Sequence, residues 1–205
     1  MHMSRNIDKI FYINLDKRDD RRSQIESQLA QYGLQNYERF SAIYKPLNGV
    51  GCSESHLAVL KIARDRGYKN ILMLEDDFIF TVSKEIMENN LSDLFEKVPD
   101  FDVCMLAYNL QHGNPHPEHT FLLHNIEAQT TAGYLVNQSM YQELIDLYEW
   151  ANPILESTGQ HWIYACDQIW KQYQKTKKWY CFHPRIGKQS DGFSDIGNQY
   201  VVCEW

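Results

Sequence analysis

The sequence predicts a single α/β layered domain. Strands alternate with helices through the first hundred residues, and the chain turns looser and richer in β-formers after that. One short apolar run, Ile71-Leu72-Met73-Leu74, stops on three consecutive carboxylates, Glu75-Asp76-Asp77, and Phe78-Ile79-Phe80 follows at once. An apolar run bounded in this way reads as a fully buried strand. At 205 residues the chain has the length of one compact domain with a sizeable core. Its 43% hydrophobic and 23% charged residues are ordinary for a globular protein, so composition alone excludes fibrous and disordered classes.

Lys9-Ile10-Phe11-Tyr12-Ile13-Asn14-Leu15 is dense in β-formers and predicts the first strand. A charged run from Asp16 to Arg22 ends it, and a helical pattern follows from Asp19 to Tyr32, closed by Gly33. Acidic residues in that first turn suit the helix dipole. Arg21 has two open readings: a solvated helix face, or a phosphate ligand close to the carboxyl end of a first strand. Residues 37–43 predict a second strand, and Pro46 and Gly49 mark a loop. Gly51-Cys52-Ser53-Glu54-Ser55-His56 then opens a helix to Arg66, stopped by Gly67, with Ser53 or Ser55 as its cap. A helix N-terminus is an anion site, so this one either faces a diphosphate or is simply capped. His56 taken alone reads as a packed or capping histidine.

Residues 83–97 predict a helix ended by Pro99, and 102–107 another buried strand. Residues 109–119 carry Gly113, Pro115, Pro117, His112, His116 and His119, and predict a long polar rim loop rather than a metal site. Residues 121–124 and 130–136 predict two strands, and Asn137 caps a helix with Tyr141, Leu144, Ile145 and Tyr148 facing the core. Asp167 interrupts the aromatic segment from Gln160 to Trp170. A carboxylate there is costly to bury unless used or paired, so it is either a working group or the polar face of an amphipathic helix. Residues 179–182 predict the last strand, ended by His183-Pro184. The tail from Gln189 to Ile196 either orders over a ligand or is a disordered terminus.

The acidic triplet is the focus. In open α/β sheets ligands bind outside the carboxyl ends of the strands. Three adjacent carboxylates repel one another, and a hard, oxygen-liganded divalent cation that also holds phosphates is their natural counter-charge. An acidic, solvated turn is the plainer alternative. The apolar flanks favour the metal because they pin the triplet to a strand end.

Other classes are excluded by what is missing. A net charge of −7, from 20 basic and 27 acidic residues, argues against a nucleic-acid partner. Five scattered cysteines with no Cys-x-x-Cys pair make neither a disulfide framework nor a zinc motif, and point to reduced thiols in the cytoplasm. The first residues, Met1-His2-Met3-Ser4-Arg5, lead directly into predicted structure without a signal peptide, and no stretch approaches a membrane span. There is no dinucleotide-binding glycine fingerprint after the first strand, no P-loop and no nucleophile elbow.

Six pieces fall in one order along the chain. They are Ile13-Asn14-Leu15-Asp16 with Arg21; Gly51-Cys52-x-x-Ser55-His56-Leu57; Leu74-Glu75-Asp76-Asp77; Ala132-Gly133-Tyr134-Leu135; Asp167; and Pro184 with Gln189 and Ser194-Asp195-Ile196. In these the chain resembles glycosyltransferase family 25, the family of lipopolysaccharide-biosynthesis and collagen β-galactosyltransferases. The resemblance implies a GT-A-like, Rossmann-type nucleotide-sugar-binding fold: a single domain over residues 1–205 with a mixed central sheet. It also implies a UDP-hexose donor and Mn²⁺ or another divalent cation. Glu75-Asp76-Asp77 then stands for the family's Asp-x-Asp-type motif, with Glu75 in place of its first aspartate.

From the resemblance, Asp77 is the expected metal ligand, with Glu75 and a late histidine, His183, completing the set. Asn14, Leu15, Arg21, Ser55, His56, Glu75, Asp76 and Gln189 are expected around the nucleotide. An inverting transfer, implied by β-linked products, needs one base to deprotonate the acceptor hydroxyl, and Asp167 is that candidate. Trp162, Tyr164 and Trp170 would offer apolar faces to a sugar or peptide acceptor. The partners implied are a nucleotide sugar and a glycan or protein acceptor, without nucleic acid or a membrane span, and with peripheral association where the acceptor is membrane-linked. A nucleotidyltransferase is the enzymatic rival, but the Asp19-Asp20 interruption makes a poor triphosphate loop. A non-catalytic carbohydrate- or partner-binding module is the non-enzymatic one.

Overall fold

The structure, a computed structural model, describes residues 6–47, 49–195, 197 and 199–203. Residues 1–5 and Ile196 of the closing motif therefore lie outside the described residues. The elements are β1 (Lys9–Asn14), α1 (Asp19–Gln31), β2 (Tyr37–Ser41), α2 (Val50–Asp65), β3 (Asn70–Glu75), β4 (Phe78–Phe80) and α3 (Lys84–Lys97). They continue with β5 (Val103–Met105), β6 (Asn109–Pro115), β7 (Leu122–Gln129), β8 (Gly133–Asn137), α4 (Tyr141–Thr158), α5 (His161–Tyr164), α6 (Cys166–Ile169) and α7 (Lys171–Gln174). The chain closes with β9 (Trp179–Phe182), β10 (Gly187–Gln189), β11 (Gly192–Ser194) and β12 (Gln199–Val201).

Eight strands make one mixed sheet in the order β2-β1-β3-β8-β5-β9-β7-β6. β1 runs parallel to both β2 and β3, β8 is antiparallel to β3 and β5, and β5 is parallel to β9. Alternation along the strands divides the core in two. Phe11, Ile13, Ile71 and Met73 pack with α2 and α4, while Ile10, Tyr12, Leu72 and Leu74 pack with α1 and α3. Helices on both faces explain why β3 reads as an unbroken apolar run. The expected α/β fold with a mixed central sheet is what the chain forms.

Three local expectations are corrected. Residues 109–119 are not a rim loop. Asn109–Pro115 is the edge strand β6, paired antiparallel to β7 with two register shifts that admit its irregular composition. Neither Ser53 nor Ser55 caps α2. The cap is Gly49 in the left-handed region at φ 81°, and both serines lie buried inside the helix. Asn137 caps a short 3-10 turn (Gln138–Met140) that leads into α4 rather than α4 itself. The tail forms a β11–β12 hairpin laid along α1.

Candidate active site

The carboxyl ends of β1 and β3 and the segment entering β8 meet at one edge of the sheet. Strand parity then sorts the acidic triplet. Glu75 continues the face of Ile71 and Met73 and so points toward α2; Asp76 takes the opposite face, where Asn14 of β1 donates to its Oδ2 at 2.7 Å. The same Asn14 accepts from Arg39 Nε at 2.9 Å, so it fixes one carboxylate while itself held from below.

Glu75 is the best-supported acid of the three. His56 Nε2 lies 3.2 Å from its Oε1 and the Thr131 hydroxyl donates to the same oxygen at 2.5 Å. His56 is fully buried, and its Nδ1 meets the Tyr134 hydroxyl at 2.8 Å. This geometry assigns an Nε2–H toward Glu75 and an Nδ1 that accepts from Tyr134. Burial works to raise the Glu75 carboxyl, but His56 and Thr131 outweigh it and hold it below the ordinary range.

Its neighbours go the other way. Burial, and then the charge of Glu75, push Asp77 up to about 7; burial alone is the leading cause that brings Asp76 to about 6. Asp77 Oδ2 lies 3.3 Å from Arg21 Nη1 and 3.4 Å from Gln189 Nε2. Its Oδ1 is buried and has no hydrogen-bond partner among the described residues. An orphaned, buried carboxylate oxygen among acids is the donor a hard cation takes up, so Asp77 fits a divalent metal, with Asp76 lining the same cavity.

Beside the triplet opens a cavity of about 180 Å³, lined by Leu15, Arg18, Arg21, Tyr44, Gly51, Cys52 and the three acids. Gly51 and Cys52 stand in the first turn of α2, so that helix presents its N-terminal end to the cleft. Arg21 is buried, and its Nη2 also donates to the Phe193 carbonyl at 3.3 Å. Arg18 reaches Asp195 of the tail at 2.6 Å, and Lys17 reaches the same carboxylate at 2.7 Å. Phe193, Ser194 and Asp195 thus wall one side of the cavity.

A second cavity, of about 350 Å³, shares Cys52 and Glu75 with the first and is lined by Asp167, Thr130, Gln189 and His161. Asp167 Oδ2 accepts from the Thr130 backbone N–H at 3.1 Å, and burial raises its carboxyl above the ordinary value. Thr130 holds φ 75°, and its hydroxyl donates to Gln189 at 3.0 Å. One strained residue thereby ties Asp167 to the Gln189–Asp77 pair.

Asn14, Leu15, Arg21, Glu75, Asp76, Asp77, Asp167 and Gln189 come together around these two cavities. Three expectations need correction. Ser55 lines neither: its hydroxyl donates to Gly51 O at 2.6 Å and accepts from Ile43 N at 2.8 Å, which fastens α2 to the loop after β2. His56 is in the second turn of α2 and acts on Glu75 rather than on a diphosphate. His183 is exposed at the end of β9, three strands from β3, and lines neither cavity, because the sheet order puts β8 and β5 between them. Of the aromatics, Trp170 is core, stacked edge-on to Tyr134 and Trp179, whereas Trp162 is 63% exposed. Sequence reading passed over Arg18, Cys52, Thr130 and Thr131. Only Cys52, four residues before His56 and so on the same helix face, left a signal there.

No protein-family model matches the chain, and no curated protein matches it in sequence. Solved structures are similar in backbone. One is the mannose-1-phosphate geranyltransferase from Thermus thermophilus, at 9% identity and TM-score 0.47, over 84% of this chain and 58% of that one. Another is a glycosyltransferase involved in glycosylation of the major capsid of PBCV-1, at 9% identity and TM-score 0.48, over 93% and 95%. The glycosyltransferase GlyE of Streptococcus pneumoniae TIGR4 is similar at 12% identity and TM-score 0.48, over 85% and 44%. The chain spans little more than half the length of the first of these and less than half of the last.

Proposed function

We propose that the protein is a metal-dependent, inverting glycosyltransferase that moves a hexose, galactose or glucose, from a UDP-sugar to a hydroxyl of a glycan or protein acceptor. The observation that carries this reading is the pairing of two cavities across Glu75. One joins strand-end carboxylates to buried or half-buried arginines, and the other presents a single raised carboxylate, Asp167. Asp77 and Asp76 would hold Mn²⁺, which when bound offsets the charge of a leaving diphosphate. Arg18 and Arg21 supply guanidinium donors for the phosphate oxygens. Tyr44, exposed on the wall of the same cavity, offers a face to a base.

Asp167 is the base. The Thr130 N–H fixes one oxygen, so the carboxylate is oriented before the acceptor arrives. Its raised pKa makes it a better proton acceptor once ionised. It takes the acceptor's hydroxyl proton as that oxygen attacks the anomeric carbon from the face opposite the diphosphate. Among the described residues no helix is long and apolar enough to cross a membrane. A reducing, cytoplasmic setting with peripheral access to a membrane-linked acceptor fits the free thiols.

The test is thermal stability with UDP, UDP-glucose and UDP-galactose, with and without Mn²⁺. A ligand of the folded state raises Tm by mass action. A Mn²⁺-dependent shift with one UDP-sugar, lost in Asp77→Ala, is expected. Asp167→Asn should keep that shift and lose roughly 10²–10⁴-fold in transfer rate. No shift with any nucleotide would move the protein to the class of non-catalytic binding modules.

A further inference from the structure

We propose that Cys52, His56 and Glu75 form a second cation site, for a zinc-class ion, distinct from Asp76 and Asp77 and independent of the nucleotide-sugar reading. The three ligand atoms, Cys52 Sγ, His56 Nε2 and Glu75 Oε1, all lie within 4.8 Å of one another. His56 Nε2 to Glu75 Oε1 is 3.2 Å, and Cys52 Sγ to the same oxygen is 3.9 Å. Ligands about 2.0–2.3 Å from a tetrahedral zinc stand about 3.3–3.6 Å apart. Two edges of the trio, 3.2 and 3.9 Å, are therefore near those of such a tetrahedron before any ion enters, and the third is no longer than 4.8 Å.

The fold explains why they meet. Cys52 and His56 are four residues apart on α2 and share a face. Glu75 comes up from β3 on the parity that faces α2. With an ion bound, Nε2 gives up the proton it directs at Glu75 and Nδ1–H donates to the Tyr134 oxygen, whose own O–H turns to Met73 Sδ at 2.8 Å; that is the outer-shell bond a metal-ligating histidine uses. Cys52 and Glu75 line both cavities, so the fourth position opens toward solvent or substrate.

Donor chemistry separates the two sites. A thiolate, an imidazole and a carboxylate select zinc-like ions, whereas Asp76 and Asp77 offer only hard oxygens. Hydrogen bonding alone would also hold this trio, and the experiment distinguishes the two. Co²⁺ is added to the reduced, metal-free full chain and the absorption spectrum is recorded. The tetrahedral d–d bands and the thiolate-to-cobalt charge-transfer band should saturate at one equivalent, and Zn²⁺ should abolish them. The charge-transfer band should persist in Asp77→Asn and vanish in Cys52→Ser. Absence of that band from the wild-type protein, or its survival in Cys52→Ser, overturns the site. Should Cys52→Ser fold poorly, mass spectrometry of the alkylated wild-type protein reads the same point. Zn²⁺ should slow modification of Cys52 at least about tenfold, and an unchanged rate overturns the proposal.

Discussion

Asp77 shows how one residue's surroundings fix its chemistry. Its carboxyl is buried beside two others, and its pKa of about 7 lies well above the ordinary 3.8. The folded chain therefore holds a proton there that the unfolded chain releases, and stability falls as pH rises from about 4 to about 7. Asn at this position does not titrate. The stability difference between Asp77→Asn and wild type should move in the variant's favour by roughly 2–4 kcal/mol across that window. Denaturant midpoints in chelator at pH 4 and pH 8 measure it, and a constant difference would mean that the carboxylate is already paid for by Arg21. Divalent metal should cancel the effect at pH 8, because the cation binds the ionised form. At this scale the sequence was partly legible. The apolar flanks located the triplet, and counting strand parity from Ile71 would have sent Glu75 toward α2. His56 as its partner was not legible, since a lone histidine on a helix has no register with a strand nineteen residues on.

Among the elements, α2 decides the shape of the cleft, and one glycine decides where α2 sits. A Cβ on Gly51 would lie 2.2 Å from the Ile43 carbonyl, which is backbone and cannot swing aside. Ser55 bonds the same loop, so the first two turns of α2 are pressed against residues 43–45 at two points. Gly51→Ala should cost roughly 3 kcal/mol and weaken ligand binding at the α2 end. Gly67→Ala, strained only by its φ of 69°, should cost about 1 kcal/mol and leave binding unchanged. Chemical denaturation and a thermal-shift titration on both variants check the pair; equal losses would mean that close approach at Gly51 is not what seats the helix. Most elements were legible from pattern and punctuation, as with Gly33 and Gly67 behind α1 and α2. The edge strand β6 was not. Its Gly and Pro residues fit a loop by local chemistry, and only pairing with β7 made it a strand.

For the whole molecule, the sequence carried the layers but not the strand order. Insertion of β8 between β3 and β5 is a long-range pairing that no local period encodes. It separates His183 from the acids and brings Thr130 and Thr131 to them. The tail is the second long-range fact. Asp195 binds Lys17 and Arg18 at 2.7 and 2.6 Å, and these two cations hold its carboxyl below the ordinary range despite partial burial. On the proposed function, a diphosphate entering the cavity would meet an arginine whose fork is already shared between Asp20 and Asp195. Displacing Asp195 costs the protein that partly buried pair, so the tail would then compete with the ligand for the same donors. Asp195→Ala should therefore tighten UDP–Mn²⁺ binding about fivefold, worth ~1 kcal/mol, and the gain should shrink as ionic strength rises. Calorimetric titrations of both proteins at low and high salt measure it. Weaker binding in the variant would reverse the assignment: the hairpin would then be a wall of the nucleotide site that Asp195 holds in place. The two outcomes differ in sign, so a single titration separates a tail that occupies the site from one that completes it.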